Sequence, residues 1–171
     1  MYKRQALKET QVGPLILPRE LDRISSWVQE AKSAGAQVLS GGQALSSSCY
    51  KPTVLLNPPS TAKVSREEIF GPVVCVYGCD SLQEAVLKAN ELPYAFQASI
   101  FTKDIDTAFN CSEQLNATAV MINDHTAFRV DWMPFGGRDA SGLGMGGISH
   151  SLEELTREKL RVFNISPTAG L

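Results

Sequence analysis

Two segments of the chain combine residue types that could take part in chemistry. The first covers residues 67–73, where two carboxylates and an aromatic side chain precede a Gly-Pro pair and an apolar run. A loop of this kind would present Glu68 and Phe70 near the start of a strand. Taken by itself, however, a pair of acids before a strand is typical of a solvated loop, and a phenylalanine there is typical of the core.

The second segment covers residues 123–137 and follows the C-terminal end of a predicted strand, where open α/β sheets place their ligand crevices. Three aromatic side chains and one arginine in such a loop indicate a pocket wall with one anchor for an anion. The four residues are Phe128, Arg129, Trp132 and Phe135. The alternative is structural: Phe128 and Trp132 would only hold the loop in place, and Arg129 would pair with Asp131.

The histidines and cysteines do not form a catalytic or metal-binding pattern. His125 lies in the second segment, but without a serine or cysteine partner it is interpreted as a hydrogen-bonding loop residue rather than a catalytic base. The four cysteines lack C-x-x-C spacing and histidines at ligand-like intervals, which disfavours zinc. Cys75 and Cys79, in or beside an apolar run, are predicted to be buried, reduced thiols.

Residues 142–147 match the G-x-G-x-x-G pattern of dinucleotide-binding loops letter for letter. That pattern requires a strand that runs directly into the glycines, whereas the nearest predicted strand ends about twenty residues earlier. We therefore interpret these glycines as a tight turn in which backbone segments approach closely.

Apolar periodicity predicts helices that alternate with short strands. Helices are expected at residues 18–34, 81–90 and 104–115, and strands at 37–39, 53–56, 73–77, 98–101 and 120–122. The helix at 104–115 should turn Ile105, Ala108, Phe109 and Leu115 inward, and the run 73–77 is typical of a strand buried on both faces. Helical crossovers between strands predict an α/β fold with a largely parallel sheet.

The C-terminal tail has a different pattern. Glycines crowd residues 136–147, a short helical pattern follows around 152–155, and charged and apolar residues alternate over 159–162. The alternation predicts a half-exposed strand that lies at a sheet edge or joins another chain.

The composition argues against several classes of function. A net charge of −2, with acids and bases interspersed, leaves no basic block for a nucleic acid. No apolar run approaches the roughly 20 residues that span a bilayer, and no leader-like segment opens the sequence. The expectation is a soluble, cytoplasmic protein with no nucleic-acid or membrane partner.

Both chemical segments, and a series of strings around them, resemble in the same order the C-terminal third of the aldehyde dehydrogenase superfamily. The matching strings are V-G-P-L-I at 12–16, G-A at 35–36, G-G at 41–42, Y-K-P-T-V-L at 50–55, E-E-I-F-G-P-V at 67–73, A-N at 89–90, F-T-K-D at 101–104, I-N at 122–123, P-F-G-G at 134–137 and S-G at 141–142. Agreement runs from about residue 11 to residue 162, which makes the resemblance specific.

The resemblance implies an oxidoreductase that uses NAD or NADP. In that family a cysteine thiolate attacks the aldehyde to give a thiohemiacetal, hydride passes to the nicotinamide, and water activated by a glutamate hydrolyses the thioester. The family's nucleophile, general base and NAD domain all precede the V-G-P-L-I string. The resemblance therefore assigns no catalytic residue to this chain, and it implies that residues 1–171 alone are inactive.

The resemblance does assign binding roles. Glu68 is similar to the glutamate that accepts hydrogen bonds from the ribose hydroxyls on the nicotinamide side, and Phe70 is similar to the aromatic residue beside the nicotinamide ring. The loop that contains Phe128, Trp132 and Phe135 is similar to the wall of the aldehyde tunnel. Arg129 is the expected anchor if the substrate carries a carboxylate, phosphate or sulfonate remote from its aldehyde.

The resemblance also predicts the organisation of the chain. Residues 6–147 would be the C-terminal part of a catalytic domain with a parallel sheet and flanking helices, residues 148–171 a helix and strand for homo-oligomerisation, and residues 1–5 match no family pattern. Asp139 and Gly146 replace the family's usual lysine and glutamate, so roles of those side chains do not transfer. One alternative is a non-catalytic domain that docks on full-length subunits. Another is a receiver- or flavodoxin-like binding module, disfavoured because an acidic cluster or phosphate loop is missing.

Overall fold

The computed structural model describes residues 10–164, and it divides into two compact units whose boundary lies between Asp80 and Ser81. Each unit has its own helices and its own paired strands. No helix within the described residues is both long enough and apolar enough to cross a membrane.

The first unit contains a helix, a sheet and a single helical turn. Its elements are α1 (Pro18–Ser33), β1 (Gln37–Ser40), β2 (Thr53–Leu56), α2 (Lys63–Arg66) and β3 (Val73–Val76). The strands form one sheet in the order β1-β2-β3, in which β1 is antiparallel to β2 and β2 is parallel to β3. The sheet is therefore mixed, whereas the sequence predicted largely parallel pairing.

Helix α1 forms where the sequence predicts it because its apolar residues recur at helical spacing. Pro18 occupies the first turn, where its missing amide donor costs nothing. Ile24, Val28 and Ala31 face inward and are buried, and they form the core of this unit with Leu55 of β2. The helix is thereby fixed against the sheet along one face.

Strand β3 is buried on one face only. Val73 and Cys75 pack against the core, whereas Val74 and Val76 are 58% and 41% exposed. The expectation of burial on both faces is thus wrong for this chain, because within the described residues only the α1 side of the sheet is covered.

The second unit is built from two pairs of strands and three helices. Its elements are α3 (Leu82–Ala89), β4 (Tyr94–Ala95), β5 (Gln97–Ile100), α4 (Ile105–Gln114), β6 (Ala119–Ile122), β7 (Arg138–Asp139) and α5 (Ile148–Leu155). Strands β5 and β6 pair in parallel, as a strand-helix-strand crossover requires, and β4 pairs antiparallel with β7. The sequence predicted β5, α4 and β6 but not the two-residue strands β4 and β7.

Helices α3 and α4 begin at capping residues. The Ser81 hydroxyl accepts a hydrogen bond from the backbone N–H of Glu84, and the Asp104 carboxylate accepts one from the N–H of Thr107 at 2.7 Å. The predicted inner face of α4 is partly wrong. Ala108 is buried as expected, but Ile105 and Phe109 are exposed and Cys111 takes the inner position, because α4 turns a narrower face to the strands than its apolar content suggests.

The alternating tail forms no strand in this chain. After α5, residues 156–164 pair with no other described segment, and Leu160, Val162 and Phe163 are exposed. The prediction of a position at this chain's own sheet edge is therefore wrong for residues 159–164, since a strand needs a neighbour to satisfy its backbone groups. Pairing with another chain stays a prediction, and residues 165–171 lie outside the described range.

Candidate functional site

Residues 67–72, which we call the acidic segment, follow directly from the single turn α2. Glu67 ends that turn with extended backbone, and its N–H donates to the carbonyl of Lys63. The side chain of Ile69 packs against the core of the first unit, whereas its neighbours Glu68 and Phe70 are exposed. The segment thus holds one residue inward and presents the two predicted binding residues to the outside.

Phe70 has an unusual backbone conformation. Its φ angle is +47°, in the left-handed region that a residue with a bulky side chain rarely adopts. Phe70 is 78% exposed, so burial of its ring does not offset the backbone strain. Strained residues persist where surrounding contacts fix them and are concentrated at functional sites.

Gly71 brings the acidic segment against α1. A Cβ atom at this position would clash with Cδ1 of Ile24, a fully buried residue of the core. Beyond it, the carbonyl of Pro72 accepts a hydrogen bond from the N–H of Thr53 at 2.8 Å, which leads the chain into β3. A side chain at position 71 would push the segment away from the helix that supports it.

The segment chemistry fits the nicotinamide half of a dinucleotide. An exposed carboxylate at Glu68 can accept hydrogen bonds from a pair of hydroxyls. The exposed ring of Phe70 offers a face on which a planar heterocycle can lie. The two groups are separated by one residue, Ile69, and both are exposed.

An asparagine with a left-handed backbone follows one strand of each parallel pair. Asn123 follows β6 with φ of +59°, its side-chain oxygen accepts from the N–H of Thr102 and its amide donates to the carbonyl of Thr102, both at 2.9 Å. Asn57 follows β2 with φ of +48°, and its side-chain oxygen accepts from the N–H of Gly78 at 2.9 Å. Asparagine tolerates this left-handed conformation. Its side-chain amide makes the hydrogen bonds that backbone groups would make if the pair of strands continued.

Residues 123–135, which we call the aromatic loop, follow directly after the C-terminal end of β6. The loop is held by local turns and by a two-bond backbone pairing between Phe135 and Gly146, with N···O distances of 3.0 and 2.7 Å. The carbonyl of Asp131 also accepts from the N–H of Ile148 at the start of α5. The loop therefore has fixed ends and an exposed middle.

Arg129 lies on an aromatic ring rather than beside an acid. Its guanidinium carbon is 4.2 Å from the ring centroid of Phe135, and Nη1 donates to the carbonyl of Met133 at 3.3 Å. The proposed pairing with Asp131 is not among the ion pairs of the described residues. The charge of Arg129 thus remains exposed and available to an anion.

Phe135 is itself supported by a residue that the sequence analysis did not single out. Its ring meets that of Phe96 edge to face, with centroids 5.0 Å apart and planes 77° apart. Phe96 follows β4, and its carbonyl accepts hydrogen bonds from Thr118 and Ala119. The only sequence signal was an aromatic residue beside a strand of two residues, too short to show periodicity.

The remaining predicted loop residues are exposed. Trp132 is 73% exposed and Phe128 is 46% exposed. His125 takes part in loop hydrogen bonds through its backbone: its N–H donates to Asp124 at 2.7 Å and its carbonyl accepts from Phe128 at 3.1 Å. The interpretation of His125 as a loop residue agrees with this arrangement.

The glycine-rich residues 142–147 serve close packing. A Cβ atom at Gly146 would lie 3.0 Å from the Phe135 carbonyl oxygen, and one at Gly136 would lie 2.6 Å from that of Gly144. These contacts agree with a tight turn that lies against the end of the aromatic loop.

The cysteines are all free, and none lies in the acidic segment or the aromatic loop. Cys111 is buried, and Cys75 is half-buried with its sulfur 3.6 Å from the carbonyl oxygen of Val64. Burial raises the pKa of the Cys75 thiol, which opposes thiolate formation. Among the described residues, no group of three or more His, Cys, Asp and Glu side chains is placed to hold a metal ion.

The sequence comparisons identify relatives over nearly the whole chain. The profile described as the aldehyde dehydrogenase family matches residues 2–160. A 3-sulfolactaldehyde dehydrogenase from Priestia aryabhattai is 37% identical over 158 residues, which cover 92% of this chain and 33% of the relative. The chain therefore spans about a third of the length of that curated relative.

Solved structures agree with this result. Aldehyde dehydrogenase 21 from Physcomitrella patens, in complex with the reaction product succinate, matches with a TM-score of 0.83 and 36% identity over 86% of this chain and 31% of that chain. Glyceraldehyde-3-phosphate dehydrogenase from Methanocaldococcus jannaschii, complexed with NADP, matches with a TM-score of 0.81 and 33% identity over 86% and 32%. With a family profile over most of its length and relatives of this similarity, the chain belongs to the aldehyde dehydrogenase family.

Proposed function

We propose that these residues form part of an NAD(P)⁺-dependent enzyme that oxidises an aldehyde with a remote anionic group to the corresponding carboxylate. The observation that carries the anionic specificity is Arg129, whose guanidinium lies on the ring of Phe135 with its charge exposed in the aromatic loop. A guanidinium held in this way can form paired, charge-assisted hydrogen bonds with a carboxylate, phosphate or sulfonate. Phe128, Trp132 and Phe135 would contact the carbon chain between the anion and the aldehyde.

Three of the similar proteins are named for, or bound to, an anionic compound, whereas others are named for betaine aldehyde, which is a cation, or lactaldehyde, which is neutral. Sulfolactaldehyde carries a sulfonate, succinate is a dicarboxylate product, and glyceraldehyde-3-phosphate carries a phosphate. The proposal of an anionic substrate therefore rests on Arg129 and not on these names.

The acidic segment would bind the cofactor. NAD(P)⁺ supplies the hydride acceptor of the reaction. Glu68 would accept hydrogen bonds from the ribose hydroxyls next to the nicotinamide, and Phe70 would lie beside the ring. The nucleophilic cysteine that forms the thiohemiacetal, the general base and the dinucleotide-binding domain would belong to the two thirds of the family's length that this chain does not match.

The substrate proposal is tested with the complete enzyme that carries these residues. The kcat/KM for an aldehyde that bears a carboxylate, sulfonate or phosphate is compared with that for a neutral aldehyde of similar length. In Arg129→Ala, kcat/KM for the acidic aldehyde should fall at least about tenfold, since a hydrogen bond to a charged group contributes roughly 1.5–3 kcal/mol. The value for the neutral aldehyde should change little. An equal fall for both substrates would contradict the anchor.

Arg19→Ala provides a matched control for the loss of positive charge. Arg19 lies on α1, its side chain is 80% exposed, and it forms an ion pair with Glu20. Both aldehydes should be turned over by this variant as by the wild type.

We further propose that residues 1–171 alone do not turn over aldehyde, and that the C-terminal tail joins another subunit. Leu155, Leu160, Val162 and Phe163 are exposed apolar residues in α5 and in the tail that follows it, and such a surface is typical of one covered in an assembly. Turnover of aldehydes by the isolated chain with NAD⁺ or NADP⁺ would contradict the first statement. An unchanged oligomeric state of the complete enzyme after Val162→Glu, measured by light scattering, would contradict the second.

A further inference from the structure

One side chain connects α1 to the acidic segment. Nη2 of Arg23 donates a hydrogen bond of 2.6 Å to the carbonyl oxygen of Ile69, across 46 positions of sequence. Ile69 is the residue between Glu68 and Phe70. Arg23 thus holds the peptide unit between Ile69 and Phe70, in the middle of the acidic segment.

Arg23 is itself fixed before it reaches the segment. Its Nε donates to the carboxylate of Glu20 at 2.7 Å, and its guanidinium carbon lies 4.4 Å from the ring centroid of Trp27. Glu20, Arg23 and Trp27 are three and four residues apart, so they share one face of α1. An arginine that is paired and stacked in this way has lost most of its rotamer freedom, so the direction in which Nη2 donates is fixed.

The ion pair with Arg23 favours the charged form of Glu20. The hydrogen bond from Arg23 is the main cause that lowers the pKa of Glu20 below its usual value. Glu20 therefore stays charged, and the guanidinium keeps its partner, well below neutral pH.

A second contact from the same helix fixes the far side of the segment. Ile24, the residue after Arg23, leaves no space for a side chain at Gly71. Phe70 stands between the bonded carbonyl of Ile69 and this close contact, with its backbone at φ of +47°. The two contacts from α1 lie on either side of the strained residue and account for the retention of its left-handed backbone conformation.

We propose that Arg23 is a positioning residue for the cofactor: through the carbonyl of Ile69 it sets the direction in which Glu68 and Phe70 present their side chains to the nicotinamide half of NAD(P)⁺. The inference rests on the proposed cofactor role of those two residues. It assigns Arg23 no contact with the cofactor and none with the aldehyde.

The experiment uses the complete enzyme and compares Arg23→Gln with Arg23→Lys and with the control Arg19→Gln. In Arg23→Gln the Kd for NAD(P)⁺, measured by fluorescence or calorimetry, should rise about tenfold, since a hydrogen bond from a charged donor is lost. The KM for the aldehyde should stay within about twofold of the wild-type value. Arg23→Lys keeps a charged donor of similar reach and should recover part of the cofactor affinity. Arg19→Gln removes the other arginine near Glu20 and should leave the Kd unchanged.

Further comparisons distinguish a positioning role of Arg23 from a general destabilisation of the enzyme. They also distinguish it from failure of the proposed cofactor-binding function. If Arg23→Gln raised the Kd for NAD(P)⁺ and the KM for aldehyde equally, or if Arg23→Lys bound cofactor no better than Arg23→Gln, positioning through Ile69 would be wrong. Glu68→Gln tests the underlying function. A weaker cofactor affinity in Glu68→Gln with an unchanged affinity in Arg23→Gln would overturn the positioning role alone. An unchanged affinity in Glu68→Gln would overturn the proposed role of Glu68.

Discussion

The guanidinium of Arg129 lies on the ring of Phe135, 4.2 Å from its centroid, and the ring of Phe96 meets the same ring edge to face. A cation above an aromatic face is attracted by the ring quadrupole while its outer edge stays free to donate hydrogen bonds. The side chain proposed to bind an anion is therefore oriented by a ring that lies six residues further along the same loop.

Replacement of that ring should reduce the preference for acidic aldehydes. In Phe135→Leu, Arg129 loses a contact that contributes about 0.5–1 kcal/mol at an exposed site, so the ratio of kcat/KM for an acidic to a neutral aldehyde should fall roughly two- to fivefold. Phe135→Tyr keeps the aromatic face and should preserve the ratio. A Phe135→Leu enzyme with the wild-type ratio would show that Arg129 does not need the ring.

The packing of Gly71 against Ile24 can be tested by a double-mutant cycle. Gly71→Ala introduces a methyl group where Cδ1 of Ile24 lies, and overpacking of this kind costs about 1–3 kcal/mol of unfolding free energy. Ile24→Val alone should cost about 0.5–1.5 kcal/mol because it leaves a gap in the core. In the double variant the shorter side chain makes room for the methyl group, so chemical denaturation should show less destabilisation than the sum. Simple additivity would mean that the segment relaxes away from α1 instead.

Asn123 combines a left-handed backbone with two side-chain hydrogen bonds, and substitutions can separate the two contributions. Asn123→Gly keeps the backbone conformation but loses both bonds to Thr102, whereas Asn123→Ala loses the bonds and also strains the backbone. The unfolding free energy should therefore decrease in the order wild type, glycine variant, alanine variant, with about 1 kcal/mol between the last two. Equal stability of the two variants would show that φ at this position carries no cost.

The N-cap of α4 makes stability depend on pH. Hydrogen bonds from Thr107 lower the pKa of Asp104 below its usual value. The folded state therefore holds the carboxylate charged more strongly than the unfolded state does, and the stabilisation is present above the ordinary aspartate pKa and is lost as pH falls through the lower folded value. As pH falls from 7, the free energy of unfolding, measured by chemical denaturation, should decrease less for Asp104→Asn than for the wild type. An equal decrease of the unfolding free energy with falling pH in the two proteins would contradict a stabilising role of the charged Asp104 carboxylate.

Local patterns were sufficient to predict much of the fold. The helical spacing in α1, the capping residue Ser81 and the apolar runs of β2, β5 and β6 all lie where the sequence placed them. These features depend on neighbours within about a turn of helix or one strand, so they are visible in a window of sequence. Strands β4 and β7 consist of two residues each and depend on each other across the fold, which leaves no local signal.

Burial was harder to predict than secondary structure. An apolar run such as Val73–Val76 is chemically fit to be covered on both faces, but its exposure depends on which other elements lie beside it. The same reason explains Phe109 on α4, which is apolar and exposed. The apolar composition of a strand or helix predicts that its surface will be buried. It does not predict whether the covering element belongs to this chain.

The candidate site shows a similar division. The types of residue and the family resemblance point to Glu68, Phe70 and Arg129, and all three are exposed. The residues that orient them, Arg23 and Phe96, were not selected. A bond that joins residues 46 positions apart leaves no trace in the local pattern, and a face-to-edge contact between two phenylalanines looks from sequence like two unrelated core residues.

The bond between Arg23 and Ile69 has a consequence for protein engineering by recombination. A chimaera that exchanged residues 67–72 between two family members would separate the segment from the helix that orients it. Both the donor for the Ile69 carbonyl and the side chain that fits against Gly71 would then come from the other parent. Crossover points should therefore fall outside residues 18–72, so that helix and segment are inherited as one block.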